Sequence, residues 1–149
     1  MPLTVVAPVA GRVVAVTDVP DPVFAEGIVG PGTAVEPTGS DAVAPVAGRL
    51  VKLHPHAFVV QASEGPAVLV HLGIDTVELR GTGFTLHAAE GDQVRTGQRI
   101  VSWDPQAVRD GGRSAVCPVV VLEASPDAVA LLADPGTDVG PGTPLLSAG

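Results

Sequence analysis

Residues 7–16 read APVAGRVVAV, and residues 44–53 repeat them almost letter for letter as APVAGRLVKL. Each copy has a proline, a glycine at which the chain can bend sharply, and then an apolar run suited to a buried strand. A second pair, GDQVRTGQRIV at 91–101 and GTDVGPGTPLL at 136–146, places Gly, Val, Gly and an apolar end at matching offsets. Two copies of two motifs predict a duplicated supersecondary unit with a pseudo-symmetric β core.

The composition agrees with many short strands. Of the 149 residues, 18 are glycine and 15 are proline, and they are scattered along the chain. Proline is excluded from helix interiors and central strands. We therefore predict an all-β fold, a duplicated β-sandwich or partly open barrel, in one domain over residues 1–149. The short helices expected lie in SPDAVALLA (125–133), which would begin at Ser125, and in DPQAVRD (104–110).

The charge balance excludes nucleic acid as an expected partner. Sixteen acidic residues stand against eight basic ones, a net charge of −8, whereas phosphate binding needs clustered Lys and Arg. An acidic surface favours a partner with a basic face, or serves solubility alone. No apolar run approaches the ~20 residues that span a bilayer, so stable membrane insertion is not expected. The N-terminus has no secretory signal, and a single cysteine fits a reducing cytoplasm, which is the predicted location.

Two histidines are placed where they could share a site. The segments AFVVQA (57–62) and AVLVHL (67–72) predict a hairpin that brings His56 and His71 to the same outer end. His71 closes an apolar run, and Gly73 would let another backbone approach closely. From this pattern alone, a shared site and two unrelated surface histidines both remain open.

Two adjacent imidazoles permit two chemistries. One neutral ring can act as a nucleophile while the other hydrogen-bonds a transferring phosphoryl oxygen. Alternatively, the two histidines and Asp75 could bind zinc. The remaining reactive or aromatic residues are interpreted as structural: Cys117 as a small core residue, Trp103 as packing at a strand end, and His87 as solvated.

Six sequence strings between Thr4 and Leu146 carry a resemblance to a known family. They are DVPDPVFAEGIVGPGTAVEPTG (18–39), APVAGRL (44–50), HAF (56–58), VHLGIDTVELRGTGF (70–84), EGDQVRTGQ (90–98) and CPVVV (117–121). Together they resemble the signatures of the glucose-type IIA components of the bacterial phosphoenolpyruvate:sugar phosphotransferase system. In that family, the histidine of the HLGIDTVEL block accepts a phosphoryl group from the phosphocarrier HPr. It then passes the group to a cysteine of the IIB domain of a sugar permease.

The resemblance implies a phosphotransferase component that carries a phosphoryl group on Nε2 of His71, with His56 stabilising that group. It also implies a shallow depression that binds HPr, the IIB domain and possible regulated target proteins. The residues that match its rim are Asp21, Phe24, Ile28, Val29, Leu69, Asp75 and Val77. No cofactor or metal is required in this interpretation, although zinc could bind adventitiously at His56 and His71. Which hexose the system takes up is left open.

One departure and two alternatives accompany the resemblance. Relatives often carry a threonine before HAF that orients the adjacent histidine, whereas this chain has His54-Pro55 there, so the backbone or His54 would have to substitute. A lysostaphin-like zinc hydrolase has H-x-x-x-D and H-x-H strings, which occur here in the reverse order. A biotinyl or lipoyl carrier needs a lysine on an exposed hairpin, but the only lysine, Lys52, falls in a predicted strand.

Overall fold

The structure is a computed structural model that describes residues 3–63 and 65–149. Its described strands are β1 (Leu3–Val6), β2 (Gly11–Val14), β3 (Gly32–Pro37), β4 (Asp41–Val43), β5 (Gly48–His54), β6 (Ala57–Ala62), β7 (Ala67–His71), β8 (Thr85–Leu86), β9 (Gln93–Val94), β10 (Arg99–Ser102), β11 (Cys117–Val121), β12 (Val129–Leu131), β13 (Asp138–Val139) and β14 (Pro144–Ala148). The short helices are α1 (Pro22–Ala25) and α2 (Pro105–Asp110), and 3-10 turns occupy Val16–Asp18, Thr76–Leu79 and Pro126–Ala128. None of the described helices is long and apolar enough to cross a membrane.

The strands form one large sheet and two small ones, all paired antiparallel, in a β-sandwich. The order in the large sheet is β13-β2-β3-β11-β7-β6-β5-β9. Both halves follow the same plan. In one, β13 pairs with the β2–β3 hairpin, which pairs with the central strand β11; in the other, β9 pairs with the β5–β6 hairpin, which pairs with the central strand β7. The central strands β11 and β7 pair with each other, Val120 opposite Leu69. The predicted duplicated all-β fold is confirmed.

The two APVAG segments meet at the pseudo-symmetry axis. The Val6 amide donates to the Pro45 carbonyl at 2.9 Å, and the Val43 amide donates to the Pro8 carbonyl at 2.8 Å. The strands that precede these segments also behave alike, since β1 pairs with β14 and β4 pairs with β10. Each repeat therefore donates one hydrogen bond to the other, and the two bonds join equivalent positions.

The glycine of each repeat is required by a close crossing of backbones. A Cβ atom on Gly11 would lie 2.1 Å from the carbonyl oxygen of Glu36, and one on Gly48 would lie 2.1 Å from that of Gln61. Both glycines start a strand directly over its hairpin partner, Gly11 opposite Pro37 and Gly48 opposite Ala62. A side chain at either position would push the hairpin apart.

Strand alternation separates two apolar clusters. Inward-facing residues such as Val13, Phe58, Val70 and Val119 are fully buried in the main core between the sheets. Outward-facing residues of the central strands form a second, smaller cluster with residues that follow β2. Its buried members are Val19, Phe24, Ala34, Ile74, Val116 and Val120. The segment between β2 and β3 thus covers the outer face of the large sheet.

One helix prediction is confirmed and the other is wrong. The helix expected within 104–110 is α2, in which the Asp104 side chain caps the first turn by accepting hydrogen bonds from the Gln106 and Ala107 amides at 3.0 and 3.2 Å. Residues 125–133 instead form one 3-10 turn followed by β12, whose Val129 pairs with Ala148 of β14. The Ser125 side chain makes no capping bond. Pairing with β14 satisfies this backbone and overrides its helical propensity.

The residues interpreted as structural lie where that interpretation requires. Cys117 is fully buried, and burial raises the pKa of its thiol to about 12. Trp103 is buried just after β10 and stacks on Phe84, with ring centroids 5.7 Å apart. His87 is exposed, and its Nε2 lies 2.7 Å from the Ser102 hydroxyl.

Candidate functional site

The β6–β7 hairpin places two imidazoles side by side. Ala57 pairs with His71 in the antiparallel register, and the Leu72 amide donates to the His56 carbonyl at 2.7 Å. His56 lies in the turn before β6, and His71 is the last residue of β7. Their ring centroids are 5.3 Å apart and the rings are nearly perpendicular, at 71°. The predicted hairpin and the predicted proximity of the two histidines are both present.

The backbone beyond His71 fixes which ring nitrogen carries the hydrogen. His71 Nδ1 lies 2.5 Å from the Gly73 carbonyl oxygen. A carbonyl oxygen can only accept, so Nδ1 must donate, and the lone pair of the neutral ring resides on Nε2. Gly73 has φ of +78°, and a Cβ atom there would lie 3.0 Å from the Ser114 carbonyl oxygen. The close backbone approach expected at Gly73 is therefore that of Ser114.

Both site imidazoles favour the neutral form. Burial lowers the pKa of His71. The hydrogen bond to the Gly73 carbonyl and the negative charges of Asp21 and Asp75 each raise it and offset part of that effect. Burial also lowers the pKa of His56, and repulsion from His71 and His54 lowers it further. Since the ordinary imidazole pKa is 6.5, both rings are mainly neutral at pH 7. A neutral ring keeps the lone pair that a nucleophile needs.

An apolar wall flanks His71. The Phe24 ring lies on α1, with its centroid 5.3 Å from that of His71. Val29 and Leu69 pack with Phe24 in the outer cluster. Helix α1 begins here because the Asp21 side chain accepts from the Val23 amide at 2.9 Å, which also fixes this carboxylate near His71.

The remaining rim residues lie outside that cluster. Ile28 is 69% exposed and Val77 is 59% exposed, large values for apolar side chains. Asp75 is also exposed, in a left-handed conformation that begins the Thr76–Leu79 turn. Exposed apolar side chains next to a reactive group are typical of a surface that binds a protein partner.

His54 stacks on His56, which lies in the turn before β6. Their ring centroids lie 5.7 Å apart and the rings are nearly parallel, at 26°. Within residues 3–63 and 65–149, the hydrogen bonds include none to the His56 ring. The His56 imidazole is therefore held by ring stacking and backbone.

Two features near the site were not predicted. A polar cavity of about 560 Å³ adjoins Asp75, and on its wall the Arg113 guanidinium donates to Glu78 at 3.2 Å. Thr76 is 1% exposed, and its hydroxyl donates to the Leu72 carbonyl at 2.7 Å. Glu78 and Arg113 are 35 positions apart in sequence, so no local pattern could have paired them. Thr76 could have been noticed as a hydroxyl within the HLGIDTVEL block.

No three His, Cys, Asp or Glu side chains are placed to hold a metal ion in the part of the chain that the structure describes. The H-x-H pair and the H-x-x-x-D pair therefore do not assemble a three-ligand zinc centre there, as a hydrolase of the lysostaphin-like type would need.

Comparison with known proteins identifies close relatives. Residues 3–126 match the family described as phosphoenolpyruvate-dependent sugar phosphotransferase system, EIIA 1. The glucose-specific EIIA component of Oceanobacillus iheyensis is 39% identical over 121 residues, which cover 80% of this chain and 73% of that protein. The corresponding component of Haemophilus influenzae is 44% identical over 117 residues, covering 77% of this chain and 70% of that protein.

Two further relatives extend the comparison. A glucose-specific EIIBCA component of Corynebacterium glutamicum is 39% identical over 123 residues, which cover 81% of this chain but 18% of that larger protein. Among solved structures, glucose permease IIA from Mycoplasma capricolum superposes with a TM-score of 0.89 at 32% identity. That superposition covers 99% of this chain and 96% of the other.

Proposed function

Because the chain belongs to the EIIA 1 family of the phosphoenolpyruvate-dependent sugar phosphotransferase system, and is thus a phosphocarrier component of sugar uptake, we propose that His71 is the residue that carries the phosphoryl group. One observation carries this proposal above the others. The hydrogen bond from His71 Nδ1 to the Gly73 carbonyl leaves the lone pair on Nε2, which is the nitrogen that faces away from the turn. Nε2 is therefore the proposed point of attachment.

In the proposed step, Nε2 of His71 attacks the phosphorus atom of a phosphorylated donor. The new nitrogen–phosphorus bond forms as the donor's bond to phosphorus breaks, and that electron pair returns to the donor. The hydrogen on Nδ1 stays in its bond to Gly73, which stabilises the positive charge that develops on the ring. Such a transfer needs little from the protein beyond positioning and electrostatics.

His56 is the proposed stabiliser of the transferred group. Its ring centroid lies 5.3 Å from that of His71, a separation that leaves room for a phosphoryl oxygen between an N–H of one ring and the phosphorus on the other. A donor that is already in place costs no reorganisation when the charge appears. A neutral His56 has one N–H to donate, and a phosphoryl group bound nearby would favour its protonated form, which has two.

The proposed partners are HPr as the donor and a IIB domain of a sugar permease as the acceptor. The support is the surface around His71, where the exposed apolar side chains of Ile28 and Val77 belong to the same segments as the carboxylates of Asp21 and Asp75, which act on His71. A partner with an apolar centre and a basic rim fits this surface. The fused EIIBCA relative supports a IIB partner, and the relatives' names support glucose as the sugar. Such partners would place the chain in the cytoplasm.

Reconstitution tests the proposal. The protein is mixed with phosphoenolpyruvate, enzyme I and HPr, and acid-labile, base-stable phosphate is measured and mapped. We expect phosphate on His71, none in His71→Ala, and an unchanged amount in His87→Ala, the control histidine in the connection between β8 and β9. With phosphorylated HPr, separated from enzyme I, as the donor, a chelator should leave acceptance unchanged, because the proposed step uses no metal.

Two results would contradict this. If His71→Ala accepts phosphate and His56→Ala does not, the two roles are reversed. If the chelator abolishes acceptance from phosphorylated HPr, a metal takes part and the carrier chemistry proposed here is wrong.

A further inference from the structure

The turn after His71 consists of two peptide groups that are each hydrogen-bonded. The carbonyl of the Gly73–Ile74 peptide accepts from His71 Nδ1, and its amide, that of Ile74, donates to the Ser114 carbonyl at 2.9 Å. The carbonyl of the preceding Leu72–Gly73 peptide accepts from the Thr76 hydroxyl at 2.7 Å. The hydrogen bond from His71 Nδ1, which selects the tautomer, therefore depends on the Gly73–Ile74 peptide. That peptide is joined directly to the Leu72–Gly73 peptide, which Thr76 holds.

Gly73 is the point at which this arrangement could fail. Its φ of +78° is accessible to glycine at little cost, and glycine also reaches many other conformations. A peptide flanked by glycine turns easily unless both of its neighbours are fixed. The Thr76 methyl lies 2.7 Å from where a Gly73 Cβ would be, so Thr76 packs against this residue as well as bonding to the peptide before it.

The Leu72 backbone also connects the two histidines. Its amide donates to the His56 carbonyl at 2.7 Å, and its carbonyl receives the Thr76 hydroxyl. Thr76 is 1% exposed, so water cannot replace that donor if it is lost. A Leu72 carbonyl without a partner would have to shift, and the shift would move the backbone on which both His56 and Gly73 depend.

We propose that Thr76 is a positioning residue for phosphoryl transfer, because its buried hydroxyl holds the Leu72 carbonyl so that the next carbonyl, that of Gly73, faces His71 Nδ1. This inference rests on the proposed function, in which Nε2 of His71 is the acceptor. Thr76 touches neither the partner nor the phosphoryl group. It acts through the tautomer and orientation of His71.

Thr76→Val removes the hydroxyl and keeps the shape of the side chain. We expect nitrogen NMR of the unphosphorylated protein to show that His71 no longer carries its hydrogen mainly on Nδ1. Phosphoryl acceptance from HPr should fall on the order of 10- to 100-fold, because the reacting nitrogen is misplaced. Thr76→Ser retains the hydroxyl and should keep both the tautomer and the rate.

Thr33 supplies a matched control. It is also 1% exposed, and its hydroxyl donates to the Val14 carbonyl at 3.4 Å, away from the turn. Thr33→Val should leave the His71 tautomer and the rate unchanged. The positioning role is overturned if Thr76→Val behaves like Thr33→Val in both readouts, even if it unfolds more easily. It is also overturned if a folded Thr76→Ser loses the Nδ1–H tautomer, a test that holds whether or not Thr76→Val folds.

The same measurements separate this inference from the function beneath it. If the unchanged protein accepts no phosphate on His71, the proposed function fails. If both the unchanged protein and Thr76→Val show the Nδ1–H tautomer of His71 and accept phosphate on it at the same rate, the proposed function stands and only the role of Thr76 fails.

Discussion

The two repeats form the same hairpin but connect its strands in very different ways. Between β2 and β3 the chain takes residues 15–31, which include a 3-10 turn and helix α1. Between β5 and β6 it takes only residues 55–56. The first strand of each hairpin starts at a glycine, Gly11 or Gly48, where a Cβ atom would lie 2.1 Å from a carbonyl oxygen of the partner strand. The largest difference between the repeats is therefore in the connection.

Each connection contributes a different part of the site. The long one has its own apolar cluster and brings Phe24 and Asp21 to the edge of His71. The short one has no room for a cluster and presents one side chain, His56, at a fixed place beside the same ring. In the proposed function, the long connection would serve partner binding and the tight turn would serve the transferred group.

The central strands show the same asymmetry. His71 on β7 lies opposite Ala57 of the short hairpin, and Val120 on β11 lies opposite Gly32 of the long one. Val120 is fully buried in the outer cluster beneath the long connection, whereas His71 stays half-buried at the margin. A duplicated frame thus offers two equivalent positions, and residues 15–31 bury the one at Val120 but leave the one at His71 half-buried.

The largest effect that would sharpen this comparison is expected from the tight turn. His56→Ala removes the donor proposed to stabilise the phosphoryl group, and acceptance from HPr should slow on the order of 10²–10³-fold. His56→Gln keeps a donor of similar reach, so acceptance should survive while transfer to the IIB cysteine slows. Rapid-quench measurement of phosphoprotein separates the two steps. His54→Gln tests the stacked neighbour: a mild effect means that His54 is a bystander, and an equal loss would mean that it orients His56.

A smaller effect is expected from the long connection. Asp21→Asn removes a carboxylate from the proposed docking surface but keeps a good N-cap for α1, so the fold should persist. Association with HPr should slow several-fold at low salt and match the unchanged protein at high salt, since rim charges act on encounter and are screened over about 8 Å at physiological salt. Stopped-flow measurement checks this.

Asp104→Asn is the control for that experiment, because Asp104 also caps a helix and the charge change is the same. If both variants slow association equally, net charge is responsible and the long connection has no particular part in docking. Association that is independent of salt in the unchanged protein would contradict the proposed basic rim of the partner.

The smallest effect concerns the pKa values of the two imidazoles. Asp21 raises the pKa of His71, so Asp21→Asn should lower it. His54 lowers the pKa of His56, so His54→Gln should raise it. Both folded values lie below the unfolded value of 6.5. The contribution of these two imidazoles to the free energy of unfolding is therefore fully present above about pH 7. It is lost as the pH drops below 6.5 towards the folded pKa values. NMR titration of the ring protons measures each shift, and a change of opposite sign would contradict the assignment of neighbours.

Sequence reasoning reached the repeated frame and the paired histidines because both depend on local signals. Alternating strands, the hairpin over 57–71 and the short helix within 104–110 are all decided within a few residues. It failed at 125–133, where pairing with β14 decides the conformation, because β14 lies more than ten residues away. The Glu78–Arg113 pair and the bond from Thr76 to Leu72 depend on how the turn after His71 folds back. No periodicity in the sequence predicts how this turn folds back, so both contacts could be found only in the structure.

The bond between His71 and Gly73 has a consequence for how often the carrier can be loaded and emptied. It uses Nδ1, while the proposed attachment uses Nε2, so attachment there would leave this hydrogen bond in place. Neither arrival nor departure of the group then requires the backbone to rearrange. A carrier must release what it accepts, and a site that is equally well ordered when empty and when full adds little to the barrier in either direction.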